Sequence, residues 1–180
     1  MAEQGSDDHS IDLFSIDRLM HETRQLAAKY RQTTGNTLPV TGEIARFDAA
    51  KQLGLKLIEN MTLGYDAIAQ ADRDGEKILI KGRVIFEDTQ SNPRLGQLNP
   101  DGRWDTVVMV LLNEEYQAVE MYEASMYDIT DALEGKTTRK SKKRGAMSVA
   151  QFKIIGTLVW TKEDGLEADV WDNHNDSIRE

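Results

Sequence analysis

Between Lys77 and Phe86 the chain alternates: Ile78, Ile80, Gly82, Val84 and Phe86 fall on one side, and Leu79, Lys81, Arg83 and Ile85 on the other. Successive strand residues point to opposite faces, so this spacing predicts a β-strand. Trp104 to Leu112 is almost continuously apolar and predicts a central strand covered on both faces. Asn113-Glu114-Glu115 turns the chain, and Tyr116 to Tyr122 is predicted to return as a strand. Gly64 to Ala69 predicts a short strand ahead of Lys77. Asp72-Arg73-Asp74-Gly75 joins the two, with Asp-Gly favouring a hairpin turn.

Helical spacing precedes these strands. Ser15 offers an N-cap, and Ile16, Leu19, Met20, Ala27 and Tyr30 follow at helical intervals until Gly35. A second helix is predicted to begin between Pro39 and Gly42 and to run to Leu53, with Gly54 as its stop. Ser125 to Leu133 and Ser148 to Thr157 predict two more helices. Glu87 to Arg103, rich in Asn, Pro, Gly and Gln, predicts a long loop of the kind that often carries function. This order predicts an α/β domain with a central mixed β-sheet of about four to five strands flanked by helices. The expected boundaries are a disordered tail over residues 1–13, the folded domain over 14–160 and an acidic, fraying tail over 161–180.

A length of 180 residues suits one domain with a sizeable core, and 39% hydrophobic with 29% charged residues suits a soluble one. No apolar run approaches the roughly 20 residues that span a bilayer, so no membrane contact is expected. Met1 to Ser10 is polar and acidic and does not read as a secretion signal. The chain contains no cysteine, which rules out disulfides and thiolate-bound zinc and fits a cytoplasmic protein. The net charge of −9 opposes nucleic-acid binding on average. The charge is segregated, however. Lys136, Arg139, Lys140, Lys142, Lys143 and Arg144 cluster with only Thr137, Thr138 and Ser141 between them, while acidic residues dominate both ends. This basic segment either grips phosphates or is a solvated loop facing the acidic tail.

Three residues carry the candidate chemistry. Glu43 lies in the first turn of the second helix, where the helix dipole alone accounts for a carboxylate. The spacing places it on one face with Phe47, Ala50 and Gly54, the expected packing surface against the sheet. Asp66 lies at a strand although aspartate is depleted there, and a strand end accounts for it. Lys81 lies mid-strand with Leu79 and Ile85 as face-mates, so its face is expected to be partly covered. An acid on a helix, an acid at a strand and a lysine on the paired strand are the parts of a metal-assisted phosphodiester-cleaving site. His9, His21 and His174 lack ligand spacing, and no Walker loop, Rossmann fingerprint or His-Glu-x-x-His is present.

Together, Glu43, Asp66 and Lys81 resemble the restriction-endonuclease-like, or PD-(D/E)XK, superfamily. There a helix glutamate precedes an aspartate at one strand, and the next strand carries an acid or glutamine two residues before a lysine. Gly42-Glu43 with Ala49-Ala50-Lys51, Gly64-Tyr65-Asp66 and Ile80-Lys81-Gly82-Arg83 are similar to segments of small bacterial nuclease-like proteins. Arg144 to Val149 leading into Gln151-Phe152 resembles their closing segment, so the resemblance spans residues 15–160. It implies a magnesium- or manganese-dependent DNA endonuclease, a hydrolase. Glu43 and Asp66 would hold the metal, with help from the Ile80 carbonyl, and Lys81 would orient the water or stabilise the transition state. Arg83 and the basic residues Lys136, Arg139, Lys140, Lys142, Lys143 and Arg144 would hold the DNA backbone. By the same analogy a homodimer is expected; on the non-catalytic reading of the same fold, the expected partner is a protein of a defence or mobile-element system.

Leu79 departs from the pattern, because it stands where the superfamily places the acid or glutamine, and leucine cannot ligate a hard cation. Three alternatives stay open. Glu43 serves as the second carboxylate; another acid such as Glu76, Glu87 or Asp105 takes over; or the site no longer cuts. In the last case the fold serves as a non-catalytic nucleic-acid-binding or protein-interaction module.

Overall fold

The structure, a computed structural model, describes residues 13–87, 93–99, 101–134 and 146–167. Two helices come first: α1 over Leu13–Thr34 and α2 over Thr41–Leu53. The strands follow as β1 (Lys56–Leu57), β2 (Ala67–Ile68), β3 (Lys77–Val84), β4 (Arg94–Gln97), β5 (Thr106–Leu112) and β6 (Ala118–Ser125). Helix α3 (Met126–Glu134), strand β7 (Ala146–Ser148), helix α4 (Val149–Ile155) and the strands β8 (Thr157–Thr161) and β9 (Gly165–Leu166) complete the order. No helix among the described residues is long and apolar enough to cross a membrane.

The main sheet is mixed, with seven strands in the order β1-β2-β3-β5-β6-β8-β9. Strands β3 and β5 are parallel, and the other neighbours are antiparallel. The α/β class agrees with the sequence expectation, but the sheet exceeds the expected four to five strands. One addition is β1, from the stretch expected to be a connector. The others are β8 and β9, a hairpin that carries the folded chain to Glu167, beyond the expected boundary at residue 160. Thr157, Val159 and Thr161 supply β-branched residues that favour pairing with β6, and Lys162-Glu163-Asp164 is the tight turn between the last two strands. The expected loop over Glu87 to Arg103 contains β4. This strand pairs with β7 as a separate two-stranded sheet and buries Leu95 and Leu98 on either side of Gly96-Gln97.

Every residue of β5 is buried, as its unbroken apolar run predicts. The sheet therefore has a core on each face. On one face α1 and α2 cover Ile78, Ile80, Val108, Val110, Leu112 and Met121. On the other, α3, α4 and the β4–β7 pair cover Val107, Met109, Ala124 and Tyr122 with Leu95, Ile129, Met147 and Phe152. Helix α4 opens with a capping box, Ser148 accepting from the Gln151 N–H and the Gln151 side chain reaching back to the Ser148 N–H.

Helix α2 lies flush on β3. A Cβ at Gly82 would stand 2.5 Å from the Ala45 Cβ and 2.8 Å from the Thr41 carbonyl oxygen. The helix turns Ile44, Ala45, Asp48 and Ala49 inward, which corrects the expected stripe through Glu43, Phe47 and Ala50. Glu43 sits one position off that face. Gly82→Ala is expected to lift α2 off the sheet and to cost about 1–3 kcal/mol. The urea midpoint of the purified variant checks this, and an unchanged midpoint would show that the helix yields freely.

Candidate functional site

Strand β2 is short, pairing Ala67 with Ile78 and Ile68 with Lys77. Beyond Ile78 the edge of β3 needs another acceptor for its backbone, because a buried N–H left unpaired is costly. Asp66 supplies it. Its Oδ2 accepts from the Ile80 N–H at 2.8 Å, its own N–H donates to the Ile78 carbonyl at 2.8 Å, and its carbonyl accepts from the Ile58 N–H at 3.0 Å. An aspartate at this strand end thus stands in for the missing strand, and it is buried, with 8% of its surface exposed. These bonds hold the carboxylate rigidly against the backbone of the lysine-bearing strand.

Arg46 of α2 closes on the free side of that carboxylate. Its Nε lies 3.4 Å from Asp66 Oδ1 and its Nη1 3.2 Å from Glu43 Oε2, while Nη2 donates to the Ile58 carbonyl at 3.2 Å. Among the described residues the Nε has no hydrogen-bond partner, although it is buried. The guanidinium therefore stands between the two acids singled out from the sequence. Glu43 is the outer one, with a largely exposed side chain, and Asp66 the inner. Sequence reasoning passed over Arg46. Its signal was there in the i, i+3 spacing from Glu43, which puts the two side chains on one face.

Lys81 approaches from the other side of the sheet. Ile80 and Gly82 face α2, whereas Leu79 packs into the opposite core, so Lys81 shares the Leu79 face. It is half-buried. Burial pushes the ammonium below the usual lysine range; the Asp66 carboxylate opposes that shift, and the Arg83 charge adds to it. Asp66 at the strand edge is thus met by Arg46 of α2, which also holds Glu43, and Lys81 lies in its field. Leu79 is partly buried against the opposite core and offers no ligand.

Arg83 takes neighbouring carbonyls as partners, those of Gly82 and Arg94, which braces β3 against β4. Burial lowers its pKa from the usual arginine value. The basic residues Lys136, Arg139, Lys140, Lys142, Lys143 and Arg144 lie outside the described residues. The other acids considered as ligands stand elsewhere. Glu76 is held by Arg73 Nε at 2.6 Å and accepts from Thr106. Asp105 accepts from the Lys77 N–H at 2.8 Å, and the Glu87 backbone N–H donates to Glu114.

A second charged cluster was not anticipated. Arg73 bridges Glu76 and Glu123, with Nη1 to Glu123 Oε2 at 2.7 Å, beside a cavity of about 600 Å³ lined also by Ala71, Thr106 and Ser125. Arg73 pulls Glu76 below its ordinary range, chiefly through their hydrogen bond, whereas burial pushes Glu123 up against the same arginine. The guanidinium is fully engaged by the two acids, so this cluster cements the start of β3 to the end of β6.

Among the described residues no group of three or more His, Asp or Glu side chains is placed to hold a metal ion. The pair Glu43 and Asp66 offers hard oxygen donors of the type magnesium and manganese prefer, and both already face a cation, that of Arg46. The donor chemistry fits a divalent ion; the space between the donors is filled by the guanidinium. No protein-family model matches the chain, and no curated protein matches it in sequence.

Proposed function

We propose that the protein is a restriction-endonuclease-like DNA phosphodiesterase that acts with magnesium or manganese in the cytoplasm. One observation carries this reading: Asp66, fixed to the β3 backbone at Ile80 on the lysine-bearing strand, meets Arg46 of α2, which also holds Glu43. Elements far apart in the chain thus meet at a single carboxylate. Glu43 and Asp66 would hold the ion, which when bound would polarise a phosphate and acidify an attacking water. Lys81, partly desolvated, faces the phosphate oxygens and balances charge as it develops. Arg83 and the segment from Lys136 to Arg144 contact the backbone of the nucleic acid, a sequence-independent and salt-sensitive interaction.

Two observations favour a second reading, a DNA-binding module on the same frame that does not cut. Leu79, partly buried against the core, stands at the position where a third ligand is expected, and Arg46 neutralises the acid pair. Incubation of the protein with plasmid and single-stranded DNA in Mg²⁺ or Mn²⁺, beside an electrophoretic binding series in rising salt, separates the two. The expected result is nicking or linearisation that EDTA stops. Intact DNA with binding that weakens steeply in salt leaves the second reading standing. Intact DNA with no binding ends both.

A further inference from the structure

We propose that Arg46 and a divalent cation are mutually exclusive occupants of the space between Glu43 and Asp66, so that the arginine acts as a built-in competitor for the metal. This rests on the phosphodiesterase reading, whose metal site it regulates.

The geometry gives the argument its steps. Arg46 reaches both carboxylates with different nitrogens, at 3.2 Å and 3.4 Å, so a single planar cation spans the pair. An ion bound to Glu43 and Asp66 together would sit within contact distance of the guanidinium, and two cations at that separation repel strongly where water is scarce. One of them must leave. Arg46 is buried, but its contacts with the two acids are long. Its Nε finds no hydrogen-bond partner among the described residues, its distance to Asp66 is longer than that of a strong charge-assisted bond, and Glu43, its other partner, is mostly exposed. Among the described residues, the Nη2 contact with the Ile58 carbonyl is the tether independent of the two acids. Asp66 would not need to move with it, because Oδ2 and the backbone are fixed to β3 and Oδ1 is the atom turned toward Arg46. The site therefore exchanges one positive charge for another around a rigid carboxylate. The metal-free form keeps its acids neutralised, which is where a protein with a deliberately weak metal site would hold them.

The test is metal binding, read without DNA. Arg46→Met keeps the aliphatic volume and removes the charge. Isothermal titration with Mn²⁺ is expected to give an affinity at least about tenfold above wild type, on the scale by which groups next to metal ligands alter affinity. Adding Asp66→Asn to that variant is expected to abolish the gain. Circular dichroism and a cooperative melt confirm that each variant is folded. If Arg46→Met does not fold, Arg46→Lys serves, since a shorter single-point ammonium reaches only one acid and a smaller gain is expected. Equal Mn²⁺ affinity in wild type and in the folded variant overturns the proposal. So does a gain that survives Asp66→Asn. Tighter metal binding with no DNA cleavage by any variant upholds the competition and counts against the phosphodiesterase reading. Cleavage by wild type with unchanged metal affinity in the variant does the reverse.

Discussion

Lys81→Met is expected to lower the rate of DNA cleavage by about 100–1,000-fold, the usual scale for removing one preorganised group that meets developing charge. The same change is expected to leave the melting temperature at or above the wild-type value. The two effects have one origin. Lys81 is half-buried, burial disfavours its charged form, and the nearby Arg83 adds like-charge repulsion that Asp66 only partly offsets. Its folded-state pKa therefore lies below the unfolded one, so the unfolded chain binds the proton more readily. Below both values, the charged lysine costs the fold free energy. That cost disappears as pH rises through the folded-state pKa. Wild type should thus gain stability on going from neutral to alkaline solution, and Lys81→Met should lack that part of the gain. Urea midpoints at several pH values, with cleavage rates on the same samples, check both halves. A methionine variant that cuts at the wild-type rate removes Lys81 from the chemistry. One that unfolds more easily shows that the lysine is an ordinary structural residue.

Lys81 carries a desolvation cost inside a strand, and its unusual placement was visible in the sequence. Lys81 interrupts an alternating strand, and Asp66 stands where aspartate is rare; both signals are local. Strand β5 was equally legible, because an unbroken apolar run has few ways to bury itself. Strand β4 was not. Its segment is dominated by Pro, Gly, Asn and Gln, and only Leu95 and Leu98 hint at a buried edge. The β8–β9 hairpin was hidden by the acidic composition around it, since Lys162, Glu163 and Asp164 read as the start of a tail and serve as a turn.

The candidate site divides in the same way. The grouping of Glu43, Asp66 and Lys81 was an expectation drawn from their order along the chain. The structure joins Glu43 to Asp66 through Arg46, which that order did not reveal. The inward face of α2 depends on Gly82, which admits Ala45 against β3 and thereby rotates Glu43 outward. Arg46, three residues after a glutamate, reads in sequence as one more surface ion pair worth a few tenths of a kcal/mol. Its burial, its reach to Asp66 and its bond to the Ile58 carbonyl are tertiary facts, set by the path of the chain between α2 and β2.

That path depends on α2 being held in place, and Arg24→Ala is expected to loosen it at a cost of about 3–5 kcal/mol. Arg24 of α1 grips Asp48 of α2 with two nitrogens, Nη2 to Oδ1 at 2.5 Å and Nη1 to Oδ2 at 3.0 Å. Nη1 also donates to the carbonyl of Tyr116, in the turn between β5 and β6, so one guanidinium ties three elements together. Side-chain exposure is 15% for Arg24 and 9% for Asp48, which places the pair where losing one partner strands the other. Burial already pushes the Asp48 carboxyl above its ordinary range, although hydrogen bonding to Arg24 pulls it back. Without the arginine the push is unopposed except by Lys51. The sign follows: a carboxyl whose folded pKa exceeds its unfolded value contributes stability at low pH and loses it as pH rises. The gap between Arg24→Ala and wild type should therefore narrow as the solution is acidified from neutral, because the buried carboxyl then takes up its proton. The paired change Arg24→Met with Asp48→Leu should recover most of the loss, because an apolar pair of similar volume carries no desolvation cost. Urea denaturation of the two single variants and the double variant gives the coupling directly. A single-variant cost under about 1 kcal/mol, typical of an exposed pair, would mean that water reaches the contact and that α2 takes its position from Gly82 and the apolar core alone.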